Sequence, residues 1–287
     1  MTRKNCALGK RAPASVDIVT HSVSGRAKID NGELYYEVAG SGRPVILLHG
    51  GLLTSQMWDE QYEMLADTHR VVRVDARAHG KSSTPTEAFA YHEDVRDLLD
   101  VLDIERATLV GLSGGARAAI NFGLTYPRRT EALVLVAPGI DGMQTRDPVI
   151  IDLMSQLMTV TDTAAGVEIF LRMWVDGPLR TPEQVSPAVR KRCLAMAMET
   201  VSRHNPASQG LARELDAIHR VAELRMPILA MVGDLDSSDI HEVVDLVVKE
   251  AAAARKMLIP GAGHNISLEQ REAFRLALLD FLRETQH

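Results

Sequence analysis

Ser113 sits in Gly111-Leu112-Ser113-Gly114-Gly115, a match to G-x-S-x-G. The run before it, 107–112, is apolar apart from Thr108, and the run after it is rich in alanine. This pattern predicts a strand that turns sharply into a helix. Such a turn forces the serine into unfavourable dihedrals and lifts its hydroxyl clear of the sheet. Small neighbours are then a steric condition, and the helix that follows aims free N–H groups and a positive end at the same spot. The chemistry on offer is nucleophilic attack. Taken alone, the stretch equally suits a glycine-rich loop or a phosphate-binding turn.

A serine hydroxyl attacks only when a base takes its proton. His264, in Gly261-Ala262-Gly263-His264, is the one histidine of ten that follows the last predicted strand and precedes the last helix. His49 and His79 also flank glycines, but after early strands. A base of this kind needs an acid to fix its tautomer and stabilise the imidazolium. Asp234, Asp236 and Asp239, in VGDLDSSD, all qualify, and Asp141 after the preceding strand is a rival. Each also suits a helix cap. Serine, aspartate and histidine in that chain order, each after a strand, fit one known catalytic arrangement. Attack on a carbonyl also develops a negative oxygen that needs preorganised N–H donors. The N–H of Gly114 is one expected donor. That of Gly51, in the LLHGGLL stretch, is the other, since glycine permits close backbone approach.

The elements that must position these residues alternate along the chain. AKIDNGELYYEVAG carries Asn31-Gly32 between two alternating runs, a hairpin signal. RPVILLHGG is a short apolar run closed by glycines, as in a strand buried on both faces. A helix over 56–67, a strand at 70–74, helical spacing through Val95, Leu98, Leu99 and Leu102, the strand ending at Ser113, a helix over 114–126 and the strand EALVLVAPG follow. The rhythm implies a parallel sheet flanked by helices. It stops near Gly139 and resumes at MPILAMVGDLD, with helices expected over 239–253 and 268–284 around the strand KMLIPGAGH. Between lies a segment with helical spacing and no strong strand signal. Its Met154, Met158, Met173, Trp174, Met196 and Met198 suit either an apolar pocket or the insert's own core.

Composition narrows the class. The chain has 287 residues, 46% hydrophobic and 24% charged, with a net charge of −6. Lys and Arg do not cluster as phosphate-backbone binding requires, so a nucleic-acid partner is not expected. No apolar run approaches the roughly 18 residues of a membrane span. Residues 1–24 begin basic, lack a secretory apolar segment and read as a poorly ordered arm. Two cysteines, Cys6 and Cys193, form neither a disulfide framework nor a metal-ligand spacing. Cys193 is expected as a small buried apolar residue, and the expected compartment is the cytoplasm.

Together these residues resemble the α/β-hydrolase superfamily, in its capped, serine-nucleophile bacterial branch, over about residues 26–285. The resemblance rests on His49-Gly50-Gly51, on the stretch Asp75-Ala76-Arg77-Ala78-His79-Gly80-Lys81-Ser82, on the serine turn, and on Gly233-Asp234-Leu235-Asp236 followed by Gly263-His264. It implies an α/β fold with a mostly parallel eight-stranded sheet, helices on both faces, and a helical cap inserted after the sixth strand. The core would be 25–139 and 226–287, and the cap 140–225. The resemblance selects Asp236 as the acid and supports Gly51 as a donor. It implies no metal or organic cofactor, and acyl transfer from an ester, lactone or thioester of an apolar small molecule. Carbon–carbon bond hydrolases and cofactor-free perhydrolases use the same triad, and some members of the superfamily are ligand-sensing receptors with little turnover. HGGLLTSQMWDEQ also resembles 3-oxoadipate enol-lactonases. Two departures stand out. Ala78 occupies a place where glycine is usual, and Gly114 one where Met, Leu or Gln is frequent, which implies a roomier acyl site. Arg117, one turn into the helix, is a candidate for an anionic substrate, against the plainer reading of an exposed helix arginine.

Overall fold

The computed structural model describes residues 22–285. Eight strands form one sheet: β1 (Val23–Ile29), β2 (Gly32–Ala39), β3 (Pro44–Leu48), β4 (Arg70–Val74), β5 (Ala107–Leu112), β6 (Thr130–Val136), β7 (Ile228–Gly233) and β8 (Ala254–Ile259). Their spatial order is β1-β2-β4-β3-β5-β6-β7-β8. β2 runs antiparallel to both β1 and β4, and the pairings from β4 through β8 are parallel. Every residue of β5 and β7 is buried, which is why these strands are continuously apolar and show no alternation.

The order of strands decides where a site can form. The chain steps from β3 outward to β4, then returns past β3 to β5 and continues in the other direction. The crossovers therefore diverge between β3 and β5, leaving a crevice beyond their carboxyl ends. Gly50 and Gly51 follow β3 and Ser113 follows β5, so the candidate groups fall at this switch point.

Helices α1 (Asp59–Ala66), α2 (Tyr91–Val101), α3 (Gly114–Thr125), α7 (Ser238–Glu250), α8 (Ile266–Glu269) and α9 (Arg271–Glu284) belong to the sheet's layers. Their apolar positions recur at three- and four-residue intervals, as Phe274, Ala277, Leu278, Phe281 and Leu282 do in α9, and these side chains are buried. Trp58 packs against Phe274 with ring centroids 5.9 Å apart, and both are fully enclosed. After β6 the chain leaves the sheet and builds α4 (Pro148–Leu157), α5 (Thr163–Leu171), a π-helical turn over Arg172–Asp176, and α6 (Pro187–Arg203), before short 3-10 turns return it to β7.

Several local expectations shift. β1 begins ahead of residue 25, and the arm before residue 22 lies outside the described residues, as does Cys6. The hairpin turn is Asp30-Asn31, because Ile29 pairs with Gly32; Asn31 takes the left-handed φ of 52° and Gly32 opens β2. The helix expected over 239–253 ends at Glu250, and the one expected over 268–284 is broken at Gln270 into α8 and α9. The six insert side chains divide three ways. Met154 and Trp174 line the cleft, Met173 and Met196 are buried, and Met158 and Met198 are exposed, which neither expectation covered. Cys193 is buried, and burial pushes its thiol up to about 12, so it is an inert apolar filler.

Candidate active site

The turn from β5 into α3 explains the glycines of the serine stretch. Ser113 adopts φ 52° and ψ −110°, a conformation that costs an L-residue on the order of 1–3 kcal/mol. It is held there from both sides: its N–H donates to the Val136 carbonyl at 2.9 Å, and its own carbonyl accepts the Arg117 N–H at 2.9 Å. A β-carbon at Gly115 would lie 2.3 Å from the Leu48 carbonyl oxygen, and one at Gly111 would lie 2.4 Å from the Gly115 backbone. α3 thus approaches β3 so closely that only glycine fits. Gly114 is different, since a β-carbon there would meet only the Gly51 nitrogen, at 3.7 Å.

His264 arrives on the loop after β8. Its Nδ1–H donates to Asp236 Oδ2 at 2.9 Å, and both residues are buried. Asp236 Oδ1 also accepts the Ser237 N–H at 2.8 Å, which fixes the carboxylate plane. The other aspartates have separate duties. Asp234 accepts the Gly261 N–H at 2.7 Å. Asp239 accepts the N–H groups of Arg146 and Asp147, tying the start of the insert to α7. Asp141 accepts from Asn121 Nδ2 at 2.6 Å and from the Leu215 N–H at 2.9 Å. Asp236 is the one of the four carboxylates that faces the imidazole. The far nitrogen, His264 Nε2, is buried and makes no hydrogen bond to the Ser113 hydroxyl or to any other described group. Ser113 and His264 line the same cleft, of about 390 Å³. Catalytic hydrogen bonds are commonly long before substrate binds.

The loop after β3 is built by two buried imidazoles. His49 Nδ1–H donates to the Gly50 carbonyl at 2.8 Å, and its Nε2 accepts the Ala76 N–H at 2.9 Å. His79 Nδ1–H donates to the Arg77 carbonyl at 2.9 Å, and its Nε2 accepts the Leu52 N–H at 3.2 Å. Accepting at Nε2 requires a neutral ring. Burial, then the neighbouring His49, push His79 down to about 3, and burial likewise lowers His49. With Leu52 at φ 54° and Leu53 N–H returned to the Gly50 carbonyl, the Gly51 N–H is left without a partner among the described residues. Gly114, as the first residue of α3, has no intrahelical acceptor for its own N–H. Two free N–H donors therefore flank Ser113. Ala78, in the turn that carries His79, sits at φ 62°, the left-handed conformation that accounts for glycine being usual at that place.

Several supporting residues were not legible from the sequence. The Trp174 ring lies 4.8 Å from that of His264, and Asn265 Nδ2 donates to the Trp174 carbonyl at 2.6 Å. Glu269 accepts the N–H groups of Gly263 and Asn265, each at 3.2 Å, and so grips the loop on both sides of His264. It is paired in turn with Arg180 of the insert, both side chains being almost fully buried. Arg180 also donates to the carbonyls of Val175 and Asp176. These partners are 89 positions apart in sequence, and no local pattern joins them. Arg117 lines the cleft but is held between Asp141 at 3.5 Å and Glu214 at 3.6 Å, so its charge is already matched. No group of three or more His, Cys, Asp or Glu suited to holding a metal ion occurs among the described residues, and none of their helices is long and apolar enough to cross a membrane.

The sequence profile of the alpha/beta hydrolase family matches residues 45–277. A pimeloyl-[acyl-carrier protein] methyl ester esterase from Edwardsiella ictaluri is 30% identical over 260 residues, which span 86% of this chain and 96% of that one. Among solved structures, a hydrolase from Pseudomonas aeruginosa PA01 superimposes with a TM-score of 0.77 at 29% identity, covering 90% of this chain and 98% of its own. A thermophilic esterase from Thermogutta terrifontis gives a TM-score of 0.72 at 25% identity, covering 92% and 100%.

Proposed function

The chain belongs to the alpha/beta hydrolase family, and from that premise we propose that it is a serine hydrolase that cleaves an ester, lactone or thioester of an apolar small molecule through an acyl-enzyme on Ser113. In this reading the Ser113 hydroxyl attacks the carbonyl carbon while His264 Nε2 takes its proton. Asp236 holds Nδ1–H and balances the imidazolium. The N–H groups of Gly51 and Gly114 receive the oxyanion. Collapse of the tetrahedral intermediate expels the alcohol or thiol, which takes the proton from Nε2. Water, activated by the same nitrogen, then attacks the acyl-enzyme, and the acid leaves with Ser113 restored.

The single observation that carries the reading is the buried His264–Asp236 pair, its Nε2 unengaged, on the cleft that holds a serine at φ 52°. The choice of an ester rests on more distant support, the methyl ester esterase among the relatives and the apolar insert residues Met143, Phe170 and Trp174 that roof the cleft.

A panel of p-nitrophenyl esters and lactones tests it. Ser113→Ala should lower kcat by about 10⁶, and Asp236→Asn by about 10⁴, as in other serine triads. Asp234→Asn should leave kcat within a few-fold. Full activity in Ser113→Ala ends the reading, and loss in Asp234→Asn with activity kept in Asp236→Asn reassigns the acid.

A further inference from the structure

A second cavity adjoins the cleft. Its volume is about 80 Å³, and it lies between the loop after β3, the start of α3 and α2. Leu34, Val74, Val95, Leu98 and Ala118 are among the apolar residues of its wall, with the Tyr91 ring packed edge-on to Phe89. Several charged and polar groups on that wall are already engaged, while the Tyr91 hydroxyl has no hydrogen bond among the described residues. Asp94 is paired with Arg77, and both nitrogens of His79 are bonded to backbone. What is left to a ligand is chiefly hydrocarbon surface. Four residues, Gly50, Gly51, Gly114 and Arg117, line this cavity and the cleft alike. Three of them are glycines, and at Gly51 an added β-carbon would meet nothing within 4 Å. Apart from Arg117, the residues shared by the two spaces carry no side chains to separate them.

Which part of a substrate would enter follows from the proton transfers. The leaving group must lie beside His264 Nε2 to be protonated, and His264 lines the cleft but not the inner cavity. The two expected oxyanion donors stand at the cavity mouth. A carbonyl held between them has its leaving group on the His264 side and its other substituent directed inward.

Resting on the serine-hydrolase reading above, we propose that the inner cavity is the acyl-chain subsite, so that the substrates are esters or thioesters of a straight alkyl or aryl-alkyl acid whose chain passes the side-chain-free gate at Gly50, Gly51 and Gly114. The roofed cleft then takes the alcohol or thiol portion.

The test is a series of p-nitrophenyl esters from acetate to dodecanoate, run on the full chain. In the wild type, kcat/KM should climb about fourfold for each methylene that enters the cavity and then level off. Ala118→Phe, which fills the inner wall, should flatten the climb, lowering the octanoate-to-acetate ratio at least tenfold. Val95→Ala, which enlarges the wall, should move the optimum to a longer chain, a shift that impaired folding would not produce. An octylphosphonate adduct seen crystallographically should carry its chain into the inner cavity. Labelled Ser113 with the wild-type chain-length profile in both variants, or an adduct chain lying under Trp174, overturns the subsite and leaves the serine hydrolase standing. No phosphonate on Ser113 overturns both.

Discussion

Glu269→Gln offers a sharp probe of how the insert after β6 and the loop carrying His264 are joined. The Arg180–Glu269 pair is nearly enclosed, at 7% and 6% exposure, and the carboxylate also accepts two N–H groups on either side of His264. Removing the negative charge strands a buried guanidinium. A broken pair of this kind costs about 3–5 kcal/mol. At about 2–4 °C per kcal/mol for a chain of this size, the melting temperature should drop by about 10 °C. The loop also loses a firm acceptor, and displacing His264 by as little as about 1 Å should lower kcat about 10²-fold with KM within about twofold. Calorimetry and steady-state kinetics read the two effects separately. The double variant Arg180→Leu/Glu269→Leu sharpens the distinction. It removes the stranded charge and should recover much of the stability, yet kcat should stay low because the Gly263 and Asn265 N–H groups still lack their acceptor. Wild-type kcat in the double variant would refute the positioning role, and an unchanged melting temperature in Glu269→Gln would refute the buried pair.

Two further outcomes follow from the packing. His79 stays neutral in the fold because burial, and then His49, hold it down to about 3, whereas in an unfolded chain it titrates near 6.5. Below about pH 6.5 the unfolded chain takes up a proton that the native state refuses, so this contribution is fully present above 6.5 and is lost as pH falls toward 3. Between pH 7 and pH 5 His79 should contribute about 2 kcal/mol to the loss that urea unfolding registers, and His79→Gln should reduce that loss; an equal loss in the variant would contradict the assignment. Gly115→Ala should destabilise by about 3 kcal/mol or more, its β-carbon falling 2.3 Å from the Leu48 carbonyl, whereas Gly114→Ala, whose β-carbon would make only an ordinary contact at 3.7 Å, should stay within about 1 kcal/mol; thermal unfolding that ranks them the other way would undo the steric account of the turn.

The sheet was legible because buried parallel strands are continuous apolar runs closed by glycine, and β3, β5, β6 and β7 all have that form. Ser113 stood out because it follows such a run, and His264 because a glycine-rich loop carries it between the last strand and the last helix. Asp236 did not separate from Asp234 and Asp239 on residue type alone, because the difference lies in where a short loop turns each carboxylate. The breaks at Glu250 and Gln270 were missed, since apolar spacing continues past a helix end that the backbone sets. The insert gave least away. Its methionines are spaced for a helix, but whether each faces the cleft, the core or solvent depends on how α4, α5 and α6 dock. The Arg180–Glu269 pair and the Trp174–His264 contact are products of that docking and have no local signature. Gly114 was singled out by residue type alone, as a glycine where a larger side chain is frequent, and the space it borders became visible only with the fold.

The most direct test of the central claim is to identify the residue that carries a covalent adduct. Incubation with a fluorophosphonate, followed by peptide mapping in a mass spectrometer, should place one adduct on the peptide containing Ser113, with labelling slowed at least about 10²-fold in His264→Ala and abolished in Ser113→Ala. An adduct elsewhere, or equal labelling of wild type and Ser113→Ala, would contradict a serine nucleophile at this turn.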